Sequence, residues 1–298
     1  MNRFTAAALL SVLSFATIGP FVKILSVDYP LPWITFARAF FGFIFVLLIA
    51  PRFDKNYANV SLTDIKQYAW VGAFLALTMS FYNAALLLSP LSNVVLLNYI
   101  YVFLSPLLAT FLLHEKIDKG SWLLLLFGFI GMAVINPLNG MGAEGNLLAL
   151  GAGITYAIMA VYMRQADKHH GIGDVVWFLG FASLFLLFPA IATPFVFTGH
   201  DFFYLLLVGV ISTGMGYLFF NLALEGLRVH QVSILDLVLG TGLGVWLSII
   251  VFHEPISWNL ALGGAILVGT GLLFIRKQHL LNLDLKLPLP TKGIYGTA

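Results

Sequence analysis

Tyr82-Asn83-Ala84-Ala85-Leu86 and Phe220-Asn221-Leu222-Ala223-Leu224 carry one short pattern, 138 residues apart. The correspondence continues downstream. An apolar run ending in His114-Glu115-Lys116-Ile117 is matched by one ending in His253-Glu254-Pro255-Ile256, an offset of 139. Gly131 and the apolar tail to Ile135 are matched by Gly271 and the tail to Ile275, an offset of 140. Upstream, Phe15-Ala16 with Lys23 pairs with Tyr156-Ala157 and Arg164 at an offset of 141. Offsets drifting by single residues describe two copies of one unit separated by short gaps, and such a repeat sets the architecture before any other feature does.

The composition fixes the solvent. Sixty per cent of the residues are apolar and 9% charged, against roughly 25% charged in a soluble domain. The chain is read as an integral membrane protein. It contains no cysteine, so neither disulfides nor thiolate chemistry enter. A net charge of +2 gives no reason to expect a nucleic-acid partner.

Ten segments are long and apolar enough for a bilayer core about 30 Å thick. They lie near 4–25, 32–50, 67–88, 91–113, 121–138, 146–164, 175–194, 202–224, 232–252 and 257–275. The first, behind Arg3, is read as a span and not as a cleaved signal peptide. Pro30, Pro32, Pro51, Pro90, Pro137, Pro194 and Pro255 fall at expected span ends, and Pro20, Pro106 and Pro189 fall inside spans. The stretch 280–298 has no apolar period and reads as a flexible cytoplasmic tail.

Basic residues set the orientation. Loops after even-numbered spans, with the two termini, hold Arg3, Arg52, Lys55, Lys66, Lys116, Lys119, Arg164, Lys168, Arg228, Arg276, Lys277, Lys286 and Lys292. The opposite loops hold only Lys23. This asymmetry places both termini in the cytoplasm. With five spans per copy, the second copy enters from the opposite face. The expected fold is therefore an all-α membrane protein of ten transmembrane helices in two inverted five-helix repeats, 1–140 and 141–279. Inverted repeats are typical of secondary transporters, with the site near the mid-plane between them.

The residues carrying this pattern resemble a known family. Pro106 and the apolar run to Glu115, Gly128 and Gly131, Arg38 in the second span, and Glu254, Gly269 and Gly271 in the second copy are similar to the ten-helix EamA-like branch of the drug/metabolite transporter superfamily. The resemblance covers residues 4 to 276. Glu115 and Glu254 match the glutamate that closes the fourth and ninth helices in that family. Phe15 and Tyr156 stand where a tryptophan is often found, and the ninth span has Gly240, Gly242 and Gly244 instead of a proline matching Pro106. The resemblance implies transport across the inner (plasma) membrane, and it leaves amino acids, sugars, nucleotides and cationic drugs open as substrates.

Candidate site residues follow from the cost of polarity in an apolar span. Arg38 should face a cavity or snorkel to the headgroups. Asp236, among Ile234, Leu235, Leu237 and Val238, must be neutralised, find a partner or anchor a cationic group. Asn98, beside Tyr99 and Tyr101, is placed for a substrate. Tyr82, Tyr156, Tyr217 and Trp177 offer aromatic faces, which attract cations. The repeated Asn83 and Asn221 read as interhelical glue. His114-Glu115 and His253-Glu254 fall on opposite membrane surfaces, so they read as helix ends and gate contacts, with no metal expected. No nucleotide fingerprint occurs, and no cofactor is expected.

The expected activity is alternating-access transport of a small polar or amphiphilic metabolite, first an amino acid or related amine. A membrane-embedded lipid-modifying enzyme and a carrier of drugs or nucleosides are the alternatives. Expected partners are the substrate, the lipid bilayer and a coupling proton, in a monomer or homodimer.

Overall fold

An apolar segment can bury its backbone in hydrocarbon only by satisfying every N–H and C=O internally, which makes helix the default for runs of this composition. The computed structural model describes residues 3–284 apart from 54, 56, 59, 113–118, 136–141, 166–170, 196–198, 228–231 and 233–234. Its ordered elements are helical throughout. In chain order they are α1 Arg3–Ala16, α2 Ile18–Leu25, α3 Leu31–Phe53, α4 Leu62–Leu88, α5 Leu91–Asn98, α6 Tyr101–Leu112, α7 Lys119–Ile135, α8 Ala143–Gln165 and α9 Ile172–Ile191. They continue with α10 Gly199–Leu207, a π-helical stretch Val208–Met215, α11 Gly216–Leu224, a second π-helical stretch Asp236–Gly240, α12 Thr241–Phe252 and α13 Trp258–Asp284.

Taken with their continuations, seven of these are long and apolar enough to cross a membrane. Trp122–Ile135, Asp236–Phe252 and Trp258–Phe274 are shorter apolar helices. Leu123, Leu126, Phe127 and Ile130 of α7, with Leu262 and Leu273 of α13, are exposed, as suits a lipid-facing wall but not a water-facing one.

The expected spans are interrupted where the chemistry changes. The first breaks at Thr17, three residues before Pro20, whose ring clashes with the carbonyl of Ala16, four residues back, and supplies no N–H to it. The fourth tightens between α5 and α6: the N–H groups of Tyr99 and Ile100 bond the carbonyls of Leu96 and Leu97, three residues back, at 3.2 and 3.1 Å. At the other end of the chain, helix α13 extends to Asp284, and leucine, frequent in its last turns, is a good helix former. Pro51, expected at a span end, lies inside α3.

The packing has a regularity that follows the sequence repeat. Under the 138–141-residue offset, α4 against α8 is matched by α11 against α1. The packing of α4 on α9 is matched by Val208–Met215 on α3, and that of α5 and α6 on α8 by Asp236–Phe252 on α1. Two pairs are their own counterparts: α3 with α9, and α7 with α13.

Helices α3 and α9 run antiparallel, and a tryptophan near each start fixes them. Trp33 Nε1 donates to the Thr193 carbonyl past the end of α9, at 2.9 Å. Trp177 Nε1 donates to the Tyr57 carbonyl past the end of α3, at 3.0 Å. Between α7 and α13 the backbones touch: a Cβ on Gly263 would lie 2.6 Å from the Gly131 carbonyl oxygen, the close approach that small residues permit in membrane bundles.

Candidate functional site

Where α1, α3, α4, α5, α6, α8, α11 and α12 converge, they enclose a cavity of about 140 Å³. That holds several waters and is smaller than the roughly 300–1,000 Å³ of drug-sized ligand sites. Arg38, Tyr82, Asn98, Tyr99, Tyr101, Tyr156, Tyr217 and Asp236 all line it. Phe15, Thr78, Phe220 and Gly240 complete its polar and aromatic wall.

Trp177 lies elsewhere. It lines a separate apolar hollow between α3 and α9 with Phe40, Phe43 and Phe181. Its indole bonds the Tyr57 carbonyl, and its ring stacks on Tyr68 at 6.4 Å. Tryptophan has an apolar body and one donor, so the end of a span satisfies it as well as a cavity does. Trp177 therefore does not line the central cavity.

Arg38 is 7% exposed, so it faces inward instead of snorkelling. Its Nε donates to Thr213 Oγ1 at 3.1 Å, and one terminal nitrogen donates to Asn83 Oδ1 at 2.8 Å. Asn83 in turn donates to Thr35 Oγ1 at 2.9 Å. Asn83 is thus interhelical glue whose main load is a charge. Asn221 differs from its repeat partner: its amide nitrogen reaches the Tyr217 carbonyl of its own helix at 3.4 Å. The π-helical stretch Val208–Met215 contributes Thr213 to Arg38 and Ser212 to a 2.7 Å hydrogen bond with Thr17, at the break between α1 and α2. Such widened turns commonly occur at functional sites.

Asp236 opens the second π-helical stretch, opposite the tightened turn between α5 and α6. Tyr99 donates its hydroxyl to the Asp236 carbonyl oxygen at 2.8 Å, and Tyr101 donates to Asp236 Oδ2 at 2.9 Å. Tyr101 meets Tyr156 edge to face at 4.7 Å, and Tyr217 meets Phe15 similarly at 5.1 Å. Phe15 and Tyr156 are repeat equivalents, and each ring braces one side of the cavity. Among the described residues, neither Arg38 nor Asp236 has an oppositely charged side chain within ion-pair distance. Asn98 Oδ1 is buried and finds no hydrogen-bond partner among them.

Gly240, one turn after Asp236, was legible only as a small residue. A Cβ there would fall 2.3 Å from the Tyr99 hydroxyl and 3.2 Å from Asp236 Oδ1. Gly240→Ala is expected to push Tyr99 off Asp236 and to lower transport about tenfold, the worth of one hydrogen bond of roughly 1–1.5 kcal/mol. Uptake normalised to folded protein in the membrane checks this. Gly242→Ala, at a position with nothing within 4 Å, should leave transport unchanged.

A second cluster closes one end of the bundle. Lys23, in the last turn of α2, forms an ion pair with Glu254 Oε1 at 2.5 Å. The same carboxylate accepts the Leu91 N–H at 2.8 Å, the Ser92 N–H at 3.3 Å and the Ser92 hydroxyl at 3.3 Å. Glu254 therefore caps the first turn of α5, where unsatisfied N–H groups and the helix dipole favour an anion. Lys23 Nζ also lies 4.8 Å from the centre of the Phe252 ring. The ends of α2 and α12 and the start of α5 are thus joined through one carboxylate. The repeat counterparts His114 and Glu115 lie outside the described residues.

The EamA-like transporter family model matches this chain twice, over residues 4–136 and 143–276. The chain belongs to the EamA-like transporter family. An uncharacterized transporter of Archaeoglobus fulgidus is 26% identical over 93% of this chain and 98% of its own length. Two S-adenosylmethionine uptake transporters are more distant. That of Rickettsia prowazekii is 23% identical over 63% of this chain and 65% of its own, and that of Rickettsia conorii 21% identical over 82% and 84%. A protein of known crystal structure shares the fold with a TM-score of 0.61, at 20% identity over 93% of this chain and 96% of that one. This EamA-like transporter is accordingly a multi-pass membrane protein of the drug/metabolite transporter superfamily.

Proposed function

We propose that this chain is a secondary transporter of the inner (plasma) membrane that moves a small polar or amphiphilic metabolite bearing an amino group, first an amino acid or a relative, by alternating access. The observation that carries this reading is the combination of a central cavity lined by Arg38 and Asp236, neither with an ion-pair partner among the described residues, with a carboxylate latch at one end of the bundle. A latch that joins helices from both matched segments must break if the halves rock apart, and rocking of one repeat against the other is the common mechanism of inverted-repeat carriers.

In this reading the three shorter apolar helices also cross, giving ten spans with both termini cytoplasmic and the units 1–140 and 141–279 inverted. Two features support it. Contacts between helices are preserved when the halves are exchanged, and the repeat equivalents α3 and α9 run antiparallel. The basic-residue asymmetry then puts the Lys23–Glu254 latch on the outer face. S-adenosylmethionine, named in two relatives, carries an amino-acid end, which fits the same class. Drive by a coupling proton, and a monomeric or homodimeric state, complete the proposal.

Two measurements test it. The chain lacks cysteine, so single cysteines report cleanly. One at Asn56 should react with an impermeant reagent only from the cytoplasm, and one at Asn139 only from outside. The reverse at either position rejects the topology. Proteoliposomes should accumulate labelled substrate against its gradient when a proton gradient is imposed. Flux that merely equilibrates the two sides would indicate a channel.

A further inference from the structure

We propose that the cavity is built for a dipolar ligand with a primary ammonium and a carboxylate, the carboxylate docking on Arg38 and the ammonium on Asp236 and Asn98. This deepens the transport reading and rests on the central cavity being the transport site.

The argument is one of unmet valence. Arg38 has five N–H donors, of which two serve the neutral acceptors Thr213 and Asn83. The guanidinium matches a carboxylate geometrically, and the described residues supply none. Asp236 accepts the Tyr101 hydroxyl on Oδ2, and among the described residues no opposite charge lies within ion-pair distance of it. Both charges border one cavity. Two buried charges left apart cost the fold, and a ligand of opposite polarity relieves both at once. A simple amine or a simple acid would relieve one and leave the filled cavity with a net charge in a low dielectric. A zwitterion leaves it neutral.

Asn98 narrows the cation. Its orphaned Oδ1 is an acceptor in need of a donor. It sits one residue before Tyr99, whose hydroxyl reaches Asp236, so the orphan belongs to the anionic end of the cavity. A primary ammonium has three N–H donors, enough for both Asp236 and Asn98. A trimethylammonium or sulfonium group has none and would leave Asn98 unsatisfied, despite the favourable tyrosine faces. Thus the amino group, and not a methylated onium centre, is assigned to this end.

The test is a binding measurement on purified protein in nanodiscs, by thermal shift and by competition. The probes are the twenty L-amino acids and S-adenosylmethionine. The tightest binder is then compared with its decarboxylated, N-acetylated and N-trimethylated forms. The intact aminocarboxylate should bind at least about 30-fold better than the decarboxylated and N-acetylated forms. It should bind about tenfold better than the trimethylated form.

Arg38→Gln should abolish the advantage over the decarboxylated amine while leaving that amine's own affinity unchanged. Should that variant not fold, Thr213→Val tests the same end by loosening the guanidinium. Asn98→Leu should abolish the preference for primary over trimethylated ammonium. An amine or acid that binds as well as its zwitterion overturns the proposal, as does a preference surviving both Arg38→Gln and Asn98→Leu. Failure of every aminocarboxylate to bind also overturns it. The transport reading is then judged separately by whether Glu254→Gln, which breaks the ion pair with Lys23, speeds labelling of a cysteine at Val95 on the cavity wall, a measurement that requires no ligand.

Discussion

Asp236→Asn is expected to lower transport by about a hundredfold or more while folded protein persists in the membrane. The substitution keeps the size of the side chain and its acceptor for the Tyr101 hydroxyl, and it leaves the Tyr99 bond to the backbone carbonyl intact. What it removes is the single negative charge on the cavity wall. Losing one partner of a buried, hydrogen-bonded charge pair costs roughly 2–5 kcal/mol, so the substrate cation is where the loss appears. Tyr101→Phe removes one neutral donor to that carboxylate and should cost closer to tenfold. Trp177→Phe, outside the cavity, should cost nothing in transport. Uptake at equal membrane abundance orders the three, and wild-type rates in Asp236→Asn would take that residue out of the site.

The second large effect is expected at the latch. Glu254→Gln keeps a side chain able to accept from the α5 backbone but abolishes the ion pair with Lys23. The pair is only partly screened, with side-chain exposures of 22% and 11%. Its loss should cost the closed arrangement about 2 kcal/mol, between the surface and buried limits. A two-state equilibrium then moves about 30-fold toward opening at that end. A cysteine at Val95, on the cavity wall, should therefore react faster from the outside by that factor in the variant. Lys23→Met should mimic it, and the double variant should add little. If labelling does not accelerate, the cluster only terminates helices.

Much of the candidate site was legible because polarity inside an apolar run has few explanations. Arg38, Asp236, Asn98 and the five tyrosines within the third, fourth, sixth and eighth spans stood out against their neighbours and all turn inward. Trp177 stood out equally and turns to the interface, because an indole satisfies its one donor there. No local pattern separates the two outcomes. Gly240 looked like any small residue until the Tyr99 hydroxyl was found beside it. The tightened turn at Tyr99–Ile100 and the facing π-helical stretch left no signature, since each depends on what the opposite helix offers.

The sequence alone determined the helical class, the repeat and the orientation expected for the spans, because the bilayer imposes span length locally and loop charge reads out each crossing. It also determined which residues could not be left in lipid. Only the tertiary structure decided their partners. Arg38 finds Thr213, 175 residues away, and Glu254 finds Leu91, 163 residues away. Those pairings depend on how the apolar helical segments pack. In lipid, packing is selected by close contact and by hydrogen bonds between distant helices and not by the hydrophobic effect, so hydropathy, which specifies the segments, does not specify their neighbours.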